Sequence, residues 1–178
     1  YSMTYAGALA VFNIIDFYIM KKDEISHILS NYANSKLLKT IVSELEKLGK
    51  PFNKLTVSDL SKFDQFHIGG LDSSMNFIKK LHIIKNQNIL DVGCGLGGVA
   101  RYIAKEFKAN VCGIDLSKDY IEVGNQLSKW IGLDQNVKLS IKNIQELNRG
   151  IIKYDKAYMI HVGMNIFDKK ILFKNIYE

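Results

Sequence analysis

The apolar positions of this chain change period near Gln87. Before that point they recur at helical spacing. Leu37, Leu38, Ile41, Val42, Leu45 and Leu48 fall on one stripe, which predicts a helix over residues 35–48. Gly49 and Pro51, the only proline, stop it. Thr56 followed by Asp59 has the spacing of a capping box and opens a short helix to about Lys62. Gly69-Gly70 reads as a break. Asp72 or Ser73 is the expected cap of the next helix, which runs through Met75, Ile78 and Leu81.

After Gln87, short apolar runs alternate with amphipathic ones. Asn88–Val92, Asn110–Ile114, Val137–Ile141 and Tyr154–His161 read as strands. Val99–Phe107, Asp119–Ile131 and Phe167–Tyr177 read as helices between and after them. Alternating strands and helices predict an α/β fold, a Rossmann-like parallel sheet with helices on both faces. The expected division is a helical N-terminal region at 1–70, serving as a lid, and a sheet domain at 71–178 with about four strands.

Composition narrows the class. With 178 residues and 47% hydrophobic positions, the chain has enough apolar material for a real core. Its net charge of +6 is spread evenly, because residues 1–87 hold 11 Lys/Arg against 8 Asp/Glu and residues 88–178 hold 13 against 10. A nucleic-acid binder concentrates such an excess on one element. Only Arg101 and Arg149 supply the guanidinium favoured for phosphate and guanine. A lysine-rich solvated surface is the preferred reading, with no nucleic-acid partner.

Cys94 and Cys112 are too few for a disulfide framework, and no zinc-ligand spacing occurs. The expected compartment is the cytoplasm. Tyr1–Met20 is apolar and nearly long enough to span a bilayer. Asn13 and Asp16 interrupt it, and no basic residue precedes it as in a signal peptide. It reads as an amphipathic helix packing on the domain or a partner chain, in preference to a membrane anchor.

The chemistry concentrates in the loop Asp91-Val92-Gly93-Cys94-Gly95-Leu96-Gly97-Gly98, between a strand and a helix. Glycines there let the chain turn tightly and let a ligand approach the backbone. Gly93-x-Gly95-x-x-Gly98 also matches the weak dinucleotide fingerprint. Asp91 separates the two readings. A carboxylate repels pyrophosphate but suits a ligand with an amino group and a sulfonium. Asp115, at the end of the second strand, can accept from both hydroxyls of a ribose in either ligand. Asn143 and Ile144 follow the third strand, where an adenine would lie.

Asp91-Val-Gly-Cys-Gly-Leu-Gly-Gly98 and Gly113-Ile-Asp-Leu-Ser117 resemble the first two cofactor motifs of class I S-adenosylmethionine (SAM) methyltransferases. Asp64-Gln-Phe-His-Ile-Gly-Gly70 is similar to the segment that closes over SAM in members acting on phosphoethanolamine, glycine or sarcosine, tocopherols and sterols. His161-Val-Gly-Met-Asn-Ile166, with Asp168-Lys169, resembles their fourth-strand segment. The resemblance covers about residues 60–178. It implies a methyltransferase acting on N, O or C of a small molecule. By it, Gly93 and Gly95 face the methionine part of SAM, Asp91 and Cys94 belong to the same cofactor site, Asp115 and Leu116 flank the ribose, and Asn143 and Ile144 hold the adenine. His67 lies beside the cofactor. Many members have Asp where this chain has Asn143.

His161 falls where substrate and methyl group meet. It is read either as a general base or as a residue that shapes the pocket. His67 is read as a cofactor contact or as packing. Both cysteines read as small buried residues and not as nucleophiles. Amino-directed DNA methyltransferases carry a proline-containing motif after the fourth strand, and cytosine-C5 enzymes carry Pro-Cys. His161-Val-Gly-Met is neither, which favours a small-molecule substrate.

The family sheet has seven strands, and the pattern here yields four. The fourth strand is therefore an expected open edge. A truncated chain, cover by the N-terminal segment, or a homo-oligomer would each account for it. Two rivals follow: a catalytically impaired SAM-binding or assembly module, and an NAD-binding Rossmann protein. Asp91 and the lack of a second catalytic domain disfavour the latter.

Overall fold

The computed structural model describes residues 35–64, 70–146 and 153–177. The chain divides into two compact units, residues 1–44 and 45–178. The amphipathic reading of Tyr1–Met20 lies outside the described residues.

Helix α1, Lys36–Glu46, runs across that division. The Ser35 hydroxyl accepts from the Leu38 amide at 3.2 Å and satisfies one orphan donor of its first turn. Leu38, Ile41, Val42 and Leu45 are its buried stripe, as the helical period requires. Helix α2, Val57–Asp64, opens with the expected capping box. The Thr56 amide donates to Asp59 Oδ2 at 2.9 Å, and the Asp59 amide donates back to Thr56 Oγ1 at 3.2 Å.

Helix α3, Gly70–Lys79, starts two residues ahead of the expected caps. Asp72 and Ser73 sit exposed in its first turn, where Asp72 meets the positive end of the helix. The Ser74 hydroxyl instead donates to the Gly70 carbonyl at 3.3 Å.

Four strands follow: β1 Asn88–Val92, β2 Asn110–Asp115, β3 Val137–Ile141 and β4 Lys156–Met159. They form one all-parallel sheet in the order β3-β2-β1-β4. Helices α4, Gly98–Phe107, and α5, Lys118–Trp130, link β1 to β2 and β2 to β3. Helix α6, Lys169–Tyr177, follows β4 and begins after its capping residue Asp168, whose Oδ1 accepts from the Ile171 amide at 2.9 Å. It therefore starts two residues later than Phe167, which is fully exposed.

Side chains alternate between the two faces of the sheet. Ile89, Val111, Val137 and Tyr158 pack with Ala100 and Ile103 of α4 and Ile121 of α5. Leu90, Val92 and Ile114 pack on the other face with Leu172 of α6. Helices thus cover both faces, which is why the central strands carry apolar residues on both faces, with Asp91 the buried exception.

Strand β4 is shorter than Tyr154–His161. At its start, Asp155 turns its carboxylate to the Asn88 amide at 2.7 Å, and its own amide donates to the Asn88 carbonyl at 2.8 Å. At its end, His161 takes a left-handed φ of +55°, which breaks the extended backbone.

Leu139 of β3 fits between glycines of three segments. A Cβ placed on Gly97, Gly113 or Gly124 would lie 2.8, 2.6 or 2.6 Å from its methyl groups. The turn after β1, strand β2 and helix α5 all close onto this one side chain.

Candidate functional site

The chain adds β2 and β3 on one side of β1, then crosses to place β4 on the other. The order reverses between β1 and β4. In open parallel sheets, ligands bind beyond the carboxyl ends of the strands at this point. A cavity of ≈ 570 Å³ lies there, bordered by the segments that follow all four strands. Its size is that of a small-molecule or cofactor site.

The glycine turn after β1 forms one wall. Gly93 and Gly95 hold φ of +74° and +53°. The Gly93 and Cys94 amides both donate to the Ile114 carbonyl, at 2.8 and 3.1 Å. The Gly95 amide donates to Asp115 Oδ2 at 2.9 Å, and the Ser117 amide donates to Asp115 Oδ1 at 2.9 Å. Asp115 therefore braces the loop as well as lining the cavity. Each of its oxygens keeps a second lone pair for an external donor.

Gly93 has a second reason to be glycine. A Cβ there would lie 2.6 Å from the Val162 side chain. Sequence reading reserved that space for a ligand, whereas the structure places a side chain from the segment after β4 against it. A Cβ placed on Gly95 would meet nothing within 4 Å, so that face of the residue is open.

Asp91 is buried, and the Tyr158 hydroxyl donates to its Oδ2 at 2.6 Å. Register explains the meeting, because Asp91 and Tyr158 are cross-strand partners on the same face. Burial pushes the Asp91 carboxyl up to about 7; the Tyr158 bond pulls it down, and the nearby Asp115 charge adds to the rise. The Tyr158 phenol is itself driven well above its ordinary value, by burial first and by Asp91 second. Burial also drives the Cys94 thiol far up, with the Asp91 and Asp115 charges adding to the rise, which disfavours the thiolate.

Leu116 lines the cavity and is largely exposed. Asn143 lines it while capping the short turn Ile144–Glu146: its amide donates to Glu146 Oε1 at 2.8 Å, and its oxygen accepts from Gln145 N at 3.0 Å. Ile144 is buried beside it. His161 also lines the cavity, in its left-handed conformation. His67 lies outside the described residues, although Asp64, which opens its segment, lines the cavity. Among the described residues no cluster of His, Cys, Asp or Glu could hold a metal ion, and no helix is long and apolar enough to cross a membrane.

Sequence reading missed Tyr158, Val162 and Arg101. Tyr158 reads as strand filler and Val162 as spacer, and no period marks their partners. Arg101 sits in α4 between apolar positions and is fully buried. Its guanidinium ion-pairs with Asp64 Oδ2 at 2.8 Å.

Residues 71–174 match the family described as Mycolic acid cyclopropane synthetase. Phosphoethanolamine N-methyltransferase 1 of Arabidopsis thaliana is 33% identical over 110 residues, covering 62% of this chain and 22% of that protein. A probable fatty acid methyltransferase of Pseudomonas putida is 36% identical over 115 residues, covering 65% and 26%. The chain thus spans about a quarter of the length of these relatives. Among solved structures, Haemonchus contortus phosphoethanolamine N-methyltransferase 2, in complex with phosphomonomethylethanolamine and S-adenosylhomocysteine, superposes with a TM-score of 0.56 at 29% identity. That match covers 61% of this chain and 25% of the other. Geranyl diphosphate C-methyltransferase of Streptomyces coelicolor shares the fold, with a TM-score of 0.54 at 20% identity over 58% and 37% of the two chains.

Proposed function

The chain belongs to the mycolic acid cyclopropane synthetase family, within the class I SAM-dependent methyltransferase fold, and from that premise we propose that it binds SAM and takes part in methyl transfer to a small-molecule N, O or C nucleophile. The observation that carries this reading is the cavity at the ends of β1 and β2, with its glycine turn beside Asp91 and Asp115. Those residues fit the cofactor. The turn exposes backbone at Gly95, and both carboxylates suit a cationic ligand with a ribose. They suit the pyrophosphate of NAD poorly.

When bound, SAM supplies an electrophilic methyl group on a sulfonium. Gly93 and Gly95 are the residues assigned to its methionine part, Asp115 and Leu116 to its ribose, and Asn143 and Ile144 to its adenine. Asp91, Cys94 and His67 are assigned to the same site. His161 is assigned to the substrate side, where an imidazole can take a proton from an amine or hydroxyl nucleophile or hold it in place. Alignment and exclusion of water are the main tasks of such a site. Asp64, at the end of α2, reaches the cavity wall, which supports a capping role for the region up to residue 70.

The relatives' names set two substrate classes to try, a small phosphorylated amine and a fatty acyl chain. Calorimetric titration with SAM, S-adenosylhomocysteine and NAD is the direct test. Binding of the first two and not of NAD is expected. NAD binding without SAM binding would reverse the assignment. Transfer of labelled methyl to either substrate class then separates an active enzyme from a cofactor-binding module.

A further inference from the structure

Arg101 is the most deeply buried cation described in this chain, with no exposed surface. It lies on α4, where the neighbouring positions Ala100, Ile103 and Ala104 belong to the core. Its guanidinium reaches four groups on three other segments. Nη1 donates to the Gly124 carbonyl at 2.9 Å and to Ser128 Oγ at 3.0 Å, both on α5. Nη2 donates to Asp64 Oδ2 at 2.8 Å, on α2, and to the Leu96 carbonyl at 2.6 Å, in the glycine turn.

The Leu96 bond bears on the site. The Gly97 carbonyl enters the helical ladder by accepting from the Arg101 amide at 3.0 Å. The Leu96 carbonyl precedes that ladder and is buried, so it needs a donor from elsewhere. Arg101 supplies it. The same carbonyl packs closely against α5, since a Cβ on Gly124 would lie 2.7 Å from Leu96 O.

A buried ion pair contributes little net stability, because desolvation offsets its attraction. Its use here is geometric. A planar guanidinium holds several acceptors at fixed angles, whereas an ammonium cannot reach all four. Asp64 is both its ionic partner and a cavity wall residue. The clamp and the cavity therefore share a residue.

We propose that Arg101 is a positioning residue that holds the glycine turn in its ligand-ready shape from behind and, through Asp64, makes α2 part of the cofactor site. This rests on the assignment of the cavity to SAM. The proposal distinguishes position from mere fold, because the charges can be removed together.

The experiment compares the natural chain with the double variant Asp64→Asn/Arg101→Gln and with the single variant Arg101→Lys. Thermal unfolding, SAM titration and hydrogen exchange at the Gly95, Gly97 and Leu60 amides are measured on each. The double variant is expected to keep most of the melting temperature, because neither member of the pair is left charged without the other. It is expected to bind SAM about tenfold or more weakly, and to exchange the loop amides faster. SAM is expected to slow exchange at Leu60 in the natural chain and not in the double variant. Affinity and loop exchange equal to those of the natural chain would overturn the proposal. Should the double variant fail to fold, Arg101→Lys, which keeps the charge, is judged by the same readings. Should the natural chain not bind SAM, the cofactor assignment falls. The clamp is then judged by loop exchange without ligand, where unchanged rates would overturn it.

Discussion

The phenol of Tyr158 lies 2.6 Å from Asp91 Oδ2, and both side chains are buried at the inner wall of the cavity. The pair brings together β1 and β4, the two strands between which the sheet order reverses. It places a carboxyl that titrates near 7 where a cationic ligand is expected.

Binding of SAM is therefore expected to depend on pH. A cation favours the charged carboxylate, so Asp91 releases its proton on binding below about 7. Affinity rises with pH towards about 7, by up to about tenfold per unit, and then levels. Calorimetry in buffers of different ionisation enthalpy reads the released proton directly. Constant affinity across this range, without proton release, would sink the idea.

Folding stability moves the opposite way. Between the ordinary carboxyl range and about 7, the folded chain binds more protons at Asp91 than the unfolded chain, so Asp91 lowers stability as pH rises through that window. Tyr158→Phe removes the donor that favours the charged form. It should move both pH dependences upward and cost about 1–3 kcal/mol. Denaturant melts at several pH values check this.

Gly93 and Gly95 are expected to respond differently to alanine. At Gly93 the new methyl meets Val162, adding about 1–3 kcal/mol of overpacking to the left-handed backbone cost. Val162→Ala in that background should recover only a fraction of the packing part, because the Val162 Cβ, which alanine keeps, also lies 2.6 Å from the new methyl. At Gly95 the backbone cost of about 1–2 kcal/mol stands alone. A large loss of SAM affinity at Gly95→Ala, beside a small change in stability, would mark it as the point of ligand approach.

His161 holds a left-handed φ at the edge of the cavity. Glycine takes that conformation without strain, so His161→Gly relieves about 1–2 kcal/mol of backbone cost, offset by the entropy of glycine in the unfolded chain, and should change stability little while lowering turnover. His161→Gln keeps a polar side chain and cannot accept a proton near neutrality. If the imidazole is a base, the quantity to fall is kcat, by about 10²–10⁴-fold. An effect on KM alone assigns it to substrate contact.

The Thr56–Asp59 capping box gives a prediction away from the site. Thr56→Val should cost about 1 kcal/mol. The Lys50 hydrogen bond at 2.7 Å, followed by the Thr56 bonds, holds the Asp59 carboxyl below its usual value. The stability it contributes is present above the ordinary carboxyl range and is lost as pH falls through the lowered value. Asp59→Asn should abolish that acid sensitivity in thermal melts.

The bounds of β1 and β3 were legible residue for residue, because β1 is a short, mostly apolar run and β3 alternates apolar and polar positions, each between turn signals. The capping box was legible because both partners lie within four residues. The buried pairs were not. Asp91 and Tyr158 are 67 positions apart, and Arg101 and Asp64 are 37 apart. No local period records such a meeting. Tyr158 looks like any strand aromatic until β4 is set in register beside β1. The place of Asn143 on the cavity was legible, but its hold on Gln145 and Glu146 depends on a turn that has no apolar signature. The open β4 edge was also legible, and among the described residues β4 pairs only with β1.

The socket around Leu139 ties four distant positions into one inheritance. Gly97, Gly113 and Gly124 each lack the atom that Leu139 fills, so none can drift to alanine while the leucine keeps its size. In related chains a smaller residue at 139 should accompany any loss of these glycines, with Cys94 also giving way where Gly113 is lost and the Leu96 backbone where Gly124 is lost, since their Cβ atoms would lie 2.8 and 2.7 Å from those groups. A sequence that breaks this rule at one position alone is expected to have shifted its first turn, and with it the mouth of the cavity.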